Sequence, residues 1–434
     1  MSRSVAPALI LMVGWAAMAF GQSPAAPRPQ TAPTAPAMLQ MSLDEAVRRA
    51  LERNPTVAIA VTNVTRAEHL FEQSRAVTLP FVGAGVVSTT YNASRGFNGQ
   101  TFQPQSQLSI QGQVSMPVLA ASQWAAVGQA RDQIGVAQLS TAEVRQQVAV
   151  ATAEAYLAVI AAHRQVDVEA RALDNAKAHL DYAQKRLEGG VGSRLNQLRA
   201  AQAVSTEETR LEALQIALLR AQEGLGVLVI ENGPVDAATD PAFEVPTAVT
   251  EAEWMAARPD IRFQQSVQAA AERVVRDSWR DWLPTANANF VPAYVTPAGL
   301  FQPSKAWTLT IALTQPIYEG GERKALKGLR EVTLDQSKLQ LTNLEVQARS
   351  EVRVSQQALE SFERALVSAR QAADQANEVL RITTLAFEVG ATTNLEVIDA
   401  QREARDTETA RALAEDGVRR AQLDLLVALG RFPK

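Results

Sequence analysis

Thr314-Gln315-Pro316-Ile317-Tyr318-Glu319-Gly320-Gly321 separates two regimes of hydrophobic patterning. Before it, Trp307, Leu309, Ile311 and Leu313 alternate with Thr308, Thr310, Ala312 and Thr314, the period of two of a strand. After it, Arg323 to Glu388 contains no proline and steps its apolar residues by three and four, the period of a helix. Gly390 breaks that helix, and a second one returns to about Leu429. The arrangement recurs at an offset of 200 residues. Leu173, Ala176, Leu180, Ala183 and Leu187 answer to Ala373, Ala376, Leu380, Thr383 and Phe387, a coiled-coil seam in both copies. On the return helices Leu214, Leu218, Ala221 and Leu225 answer to Ala414, Val418, Ala421 and Leu425. A fixed offset over so many positions reads as an internal duplication.

Outward from there, Leu108, Ile110, Gly112, Val114 and Met116 alternate with uncharged polar residues, and Phe81 to Tyr91 is a weaker strand of the same kind. Ala286, Ala288 and Phe290 alternate with Thr285, Asn287 and Asn289. The chain therefore has four strands in two hairpins, at about 80–91, 107–117, 285–294 and 306–316, with Asn92 to Ser106 an exposed loop. Pro80, Pro117, Pro284 and Pro316 frame them at equivalent switches between helix and strand. Alternation at about ten residues per strand fits a membrane barrel, although a soluble sheet on a helical stalk has the same pattern. Two hairpins are too few for a barrel, whose smallest membrane form has about eight strands, so several chains would have to share one.

The long helices, Ala121 to Glu188 and Arg323 to Glu388, would each reach roughly 100 Å. Return helices run from about Ser193 to Leu228 and from Thr393 to Leu429, and shorter helices, Thr56 to Val77 and Asp260 to Leu283, precede the strands. A short helix stacked on a return helix nearly matches a long one, so each repeat supplies two helices' width of a tube. Residues 1–21, with Arg3 before an apolar run, read as a secretory signal peptide. Residues 22–41 read as a Pro-rich disordered linker, 42–230 as repeat one, 231–253 as an outer linker and 254–434 as repeat two. Ser42 with Glu45 three residues on forms a capping-box signature.

The 434 residues carry a net charge of −4 and no cysteine. The charge gives no footprint for nucleic acid, and the composition excludes disulfides and thiol chemistry. His163 and His179 stand about 160° apart around a helix and cannot share a metal. No catalytic group, cofactor or metal is expected. Trp307 is the best candidate for the membrane interface, while Trp279 and Trp282 read as packed core.

With these pieces together the sequence resembles the TolC family of outer-membrane efflux proteins over about residues 41–430. Leu283-Pro284, Gln315-Pro316-Ile317 with Gly320-Gly321, and the tip Phe387-Glu388-Val389-Gly390 with Leu395-Glu396-Val397-Ile398-Asp399-Ala400 carry the likeness. The resemblance implies a mainly α fold with a membrane β-barrel part, built as a homotrimer with four strands per chain. It implies a passive exit duct for small molecules or proteins in a tripartite efflux or type I secretion system. Its partners would be a periplasmic adaptor, an inner-membrane pump driven by protons or ATP, and outer-membrane lipid. It also places Glu396 and Asp399 where the family rings its tunnel entrance with acid, and three residues apart they share a helix face. Glu396 also fits a Thr393 capping box. The family's gate tyrosine and arginine correspond to Phe387 and Thr392, so its hydrogen-bonded latch is lost in that form. Repeat one has Asn196 and Arg199 at the acidic positions, with Arg186 and Arg194 nearby. A basic first tip bonding to an acidic second tip is therefore expected. Gly190, Val191, Gly192, Val389 and Gly390 reverse the chain and, in the family, meet the adaptor. Pro80, Pro117, Pro284, Pro316, Gly320 and Gly321 form the swivel between barrel and tunnel. A periplasmic adaptor or helical scaffold without a pore is the second reading.

Overall fold

Residues 38–246 and 248–433 are described by a computed structural model. The expected signal peptide and residues 22–37 of the Pro-rich linker lie outside them. In chain order the elements are β1 (Leu39–Met41), α1 (Leu43–Arg53), α2 (Pro55–Ala76), β2 (Phe81–Thr90), β3 (Arg95–Phe97), β4 (Gln100–Gln103) and β5 (Ser106–Leu119). Then come α3 (Ala121–Glu188), α4 (Arg194–Val229), β6 (Val235–Ala237), α5 (Glu251–Ala257) and α6 (Pro259–Asp277). The chain finishes with β7 (Thr285–Thr296), β8 (Lys305–Thr314), α7 (Glu322–Glu388) and α8 (Asn394–Ala428).

Local chemistry sets the boundaries. Asn54 closes α1 and caps α2, its Oδ1 accepting from Thr56 N at 2.9 Å, and Pro55 fills a first-turn position where a missing N–H costs nothing. Ser42 Oγ accepts from Glu45 N at 3.4 Å. The Glu45 carboxylate turns to Arg49 instead of returning to the cap, so only half of the expected box forms.

The four long strands make one antiparallel sheet in the order β2-β5-β7-β8, the two hairpins lying side by side. Register puts Val86, Ile110 and Tyr294 in line, and likewise Val82, Val114, Phe290 and Leu309. One face is therefore apolar right across the sheet. The other carries residues such as Gln111, Gln113, Asn289 and Thr310. Gly112 lets Pro292 approach from β7: a Cβ there would lie 3.1 Å from the Pro292 ring. Strands β2 and β8 each leave one edge unpaired within the chain. Among the described residues no helix is long and apolar enough to cross a membrane.

Below the sheet the helices form one layer. In the half nearer the strands the order is α2, α3, α6, α7; in the half nearer the tips it is α4, α3, α8, α7. Thus α2 and α4 share one row, and α6 and α8 another. The layer has two open borders. On α7 it exposes Leu329, Leu339 and Val354, and on the α2–α4 row Ile59, Ile216 and Val227.

Several expectations are corrected. Residues 39–41, assigned to a disordered linker, pair in parallel with 235–237 as β1 and β6. The outer linker thus contains β6 and the first residues of α5. The loop 92–106 contains a small hairpin, β3–β4, turning through Asn98 (φ 51°) and Gly99 (φ 81°). Helix α6 stops at Asp277 and continues as a 3-10 turn, Ser278–Trp282, instead of running to Leu283. Trp279 and Trp282 are exposed, not packed core, with Arg280 and Arg323 stacked on their rings.

The largest core cluster gathers Tyr156 of α3, Leu225 and Val229 of α4, and Leu423 of α8 around the β1–β6 pair. Tyr156 is fully buried; its hydroxyl lies 2.7 Å from the Thr239 carbonyl and accepts from Thr239 N at 3.3 Å. Tyr156→Phe should cost about 1–3 kcal/mol, because it strands those backbone groups. A urea midpoint equal to wild type would show that this core cluster does not depend on the hydroxyl.

Candidate functional site at the hairpin tips

Each long helix ends in the same reversal. Gly190 and Gly390 take the left-handed conformation, φ 75° and 79°, which lets the chain turn without a Cβ penalty. Val191 N then bonds back to Arg186 O at 3.0 Å, and Ala391 N to Ala386 O at 2.7 Å. Gly192 is crowded, since a Cβ there would sit 2.6 Å from Leu187 N. Val191 and Val389 stand out at the tips, 73% and 81% exposed. Ser193 Oγ starts α4 by accepting from Leu195 N, and Thr393 Oγ1 starts α8 by accepting from Glu396 N.

The two tips are clasped together through α3. Phe387, at the end of α7, is only 6% exposed. The His179 and Tyr182 rings lie 5.3 and 5.6 Å from its centroid, and the Arg186 guanidinium 5.5 Å above it. His179 Nε2 donates to Asn394 Oδ1 at 2.8 Å, Tyr182 OH to the Glu388 carbonyl at 3.3 Å, and Arg186 to the Phe387 carbonyl at 3.4 Å. Burial pushes the His179 pKa down, opposed by the Asn394 hydrogen bond. The clasp therefore involves a neutral imidazole and aromatic packing. Sequence reasoning had assigned Phe387 and Arg186 to this region but missed His179, Tyr182 and Asn394.

The expected bonding of a basic first tip to an acidic second tip is not found within the chain. Asp399 pairs instead with Arg402 on its own helix at 3.3 Å, and the Glu396 carboxylate takes the Thr392 hydroxyl. Helix spacing explains the first, since residues three apart on a helix are neighbours, and the turn entering α8 brings Thr392 to Glu396. Arg194 and Arg199 make no hydrogen bond or ion pair with the described residues, whereas Arg186 is spent on the clasp.

Higher up the seam, three helices meet at charge. Arg405 of α8 reaches Glu207 of α4 at 2.5 Å and Asp406 at 2.6 Å. Glu169 of α3, itself buried, shares a hydrogen bond with Glu207. Burial, then that bond and the Glu207 charge, raises the Glu169 pKa to about 7.

The residues assigned to the swivel are spread along the base of the sheet. Pro80 and Pro284 immediately precede β2 and β7, and Pro316 follows β8. Pro117 lies inside β5, at a register shift, rather than at its end. Gly320 and Gly321 have φ of 63° and 91° and lead into α7, a turn that a side chain at either position would strain.

The family model described as outer membrane efflux protein matches residues 46–229 and 252–431. The pyoverdine export outer membrane protein OpmQ of Pseudomonas putida is 23% identical over 96% of this chain and 92% of its own. The outer membrane channel CmeC of Campylobacter jejuni superposes with a TM-score of 0.79 at 15% identity, covering 90% of this chain and 85% of that one. The open state of the MtrE outer membrane channel of Neisseria gonorrhoeae gives 0.77 at 19% identity, covering 89% and 88%.

Proposed function

Since the chain belongs to the outer membrane efflux protein family, we propose that three copies close into one conduit whose periplasmic gate is the clasped pair of hairpin tips. Membership sets the adaptor or scaffold reading aside: the protein is an outer-membrane efflux channel. The observation that carries the trimer is the set of open edges. Four strands, apolar on one face and polar on the other, cannot close alone, but twelve can. The same threefold operation lays the apolar border of α7 against the α2–α4 row of the next copy. The apolar sheet face would then meet lipid.

The exposed Val191 and Val389 tips are the surface offered to a periplasmic adaptor, which would couple the conduit to an inner-membrane pump driven by protons or ATP. Export of small molecules is the favoured cargo class, on the likeness to a protein named for pyoverdine export. Glu396 and Asp399, repeated around the threefold axis, would give the entrance an acidic lining, partly offset by Arg402. Pro80, Pro117, Pro284, Pro316, Gly320 and Gly321 form the joint between barrel and tunnel.

Single-channel recording of the purified protein in a planar bilayer tests this. Asp399→Ala should weaken cation preference and Arg402→Ala should strengthen it. A pore indifferent to both would refute the acidic entrance but not the conduit. A folded trimer that never conducts would overturn the conduit itself.

A further inference from the structure

A groove of about 300 Å³ runs between α4 and α8, over α3. Its walls carry four guanidinium groups, from Arg199, Arg210, Arg402 and Arg405, against one carboxylate, Glu207. Its floor is small and apolar where Ala172 and Ala176 come up between the two helices. Both flanks and the floor belong to one chain. We infer that this groove is a binding site for small organic polyanions, a carboxylate-bearing molecule seating its hydrocarbon part on the alanine floor. The inference rests on the gate reading above only for its biological setting, since the groove lies in the tip half of the same hairpins.

The guanidiniums are unequally occupied. Arg405 is buried and committed to Glu207 and Asp406. Its bond occupies the groove's one carboxylate. Arg210 touches Glu207 only at 3.4 Å, and the exposed Arg402 holds Asp399 at 3.3 Å. The Arg402–Asp399 pair is exposed on both sides, and such a pair contributes little and is easily exchanged for a better partner. Arg199 has no partner among the described residues. Guanidinium groups converging on an apolar-floored groove are suited to carboxylate, which they can bind through two parallel hydrogen bonds.

The duplication makes the groove specific rather than a by-product of helical spacing. At the offset of 200 residues Arg199 and Arg210 become Asp399 and Ala410, and Glu396, Asp399, Glu403 and Asp406 recur at steps of three and four on α8. Conversely, Arg402 and Arg405 of α8 stand where repeat one has Gln202 and Ser205. Both walls are thus basic through residues that the other repeat lacks, and a threefold axis would give three such grooves beside the acidic positions of α8.

Titration calorimetry of the full-length protein in detergent, with citrate as the probe, tests the site. We expect saturable binding that weakens with added salt, about tenfold weaker in Arg199→Gln, and unchanged in Arg194→Gln. Arg199 and Arg194 both lack partners among the described residues, so neither change threatens the fold, but only Arg199 lines the groove. Inorganic phosphate, lacking a hydrocarbon part, should bind more weakly than citrate. No saturable binding of citrate, equal loss in both variants, or phosphate binding as tightly as citrate would overturn the proposal. Heat is read independently of current. A conducting protein that ignores citrate refutes the groove alone, and one that binds citrate without conducting refutes the conduit alone.

Discussion

Phe387→Ala should unlatch the tips. The ring is buried among His179, Tyr182 and Arg186, and these three side chains come from α3 while Phe387 ends α7. Truncating a buried phenylalanine costs about 3–5 kcal/mol. Spent on a two-state gate, 3 kcal/mol would shift the closed-to-open ratio by roughly a hundredfold. The remaining clasp bonds are weak: the Arg186 and Tyr182 contacts to backbone carbonyls are 3.4 and 3.3 Å long. Cells carrying the variant should admit a large antibiotic that wild type excludes, and its channel should show frequent openings without any partner. Phe387→Tyr keeps the ring and should remain shut. His179→Ala removes one ring neighbour and the bond to Asn394, and should fall between them. The two positions should be coupled by about 0.5–1.5 kcal/mol in a double-mutant cycle, the value of an aromatic pair. Antibiotic leak in Phe387→Ala no greater than in wild type, at equal expression, would sink the clasp as the gate's latch.

The long helices were legible almost to the residue. Ala121 and Glu188 bound α3 in both readings, because Pro117 and Gly189-Gly190 punctuate the chain on either side and no proline interrupts it. The return helices shifted by only a residue, since Ser193 and Thr393 are the caps and not the first helical positions. Strand faces followed from strict alternation. What escaped was non-local. β1 and β6 have three residues each and no period, and nearly 200 residues separate them in the sequence. The β3–β4 hairpin did carry a signal, Asn98-Gly99, hidden within a stretch whose composition reads as loop. The site was legible as a region but not as contacts. Phe387 is an ordinary seam position by its spacing, and only the juxtaposition of α3 with the second tip gives it His179 and Tyr182. Glu396 and Asp399 could be assigned to one face, yet the near neighbours that take them, Thr392 and Arg402, matter more than the distant arginines.

Arg405→Ala should loosen the seam between the hairpins, and acid should partly repair it. In wild type one guanidinium faces Glu207 and Asp406 directly, with Glu169 adjoining, and Arg210 contributes from α4. Removing the one cation from a buried pair costs about 3–5 kcal/mol, because the carboxylates left behind are desolvated and repel. Amide exchange across residues 394–412, corrected for its intrinsic rate, should then rise by roughly a hundredfold at pH 8. The pH dependence follows from Glu169, whose folded pKa of about 7 lies above its ordinary 4.5. Between those values the folded chain holds the proton more tightly than the unfolded chain. The contribution is complete below about pH 4.5, declines as pH rises through 7, and is flat above. Wild-type protection in this segment should therefore decrease between pH 5 and 8, and Glu169→Gln should abolish the slope. In Arg405→Ala the slope should steepen, because at low pH the protonated Glu169 still donates to Glu207, while at high pH two charges meet with only the longer Arg210 contact to offset them. A loss of protection that is the same at pH 5 and pH 8 would mean that Arg405 acts through packing alone and that the Glu169 proton does not hold the seam.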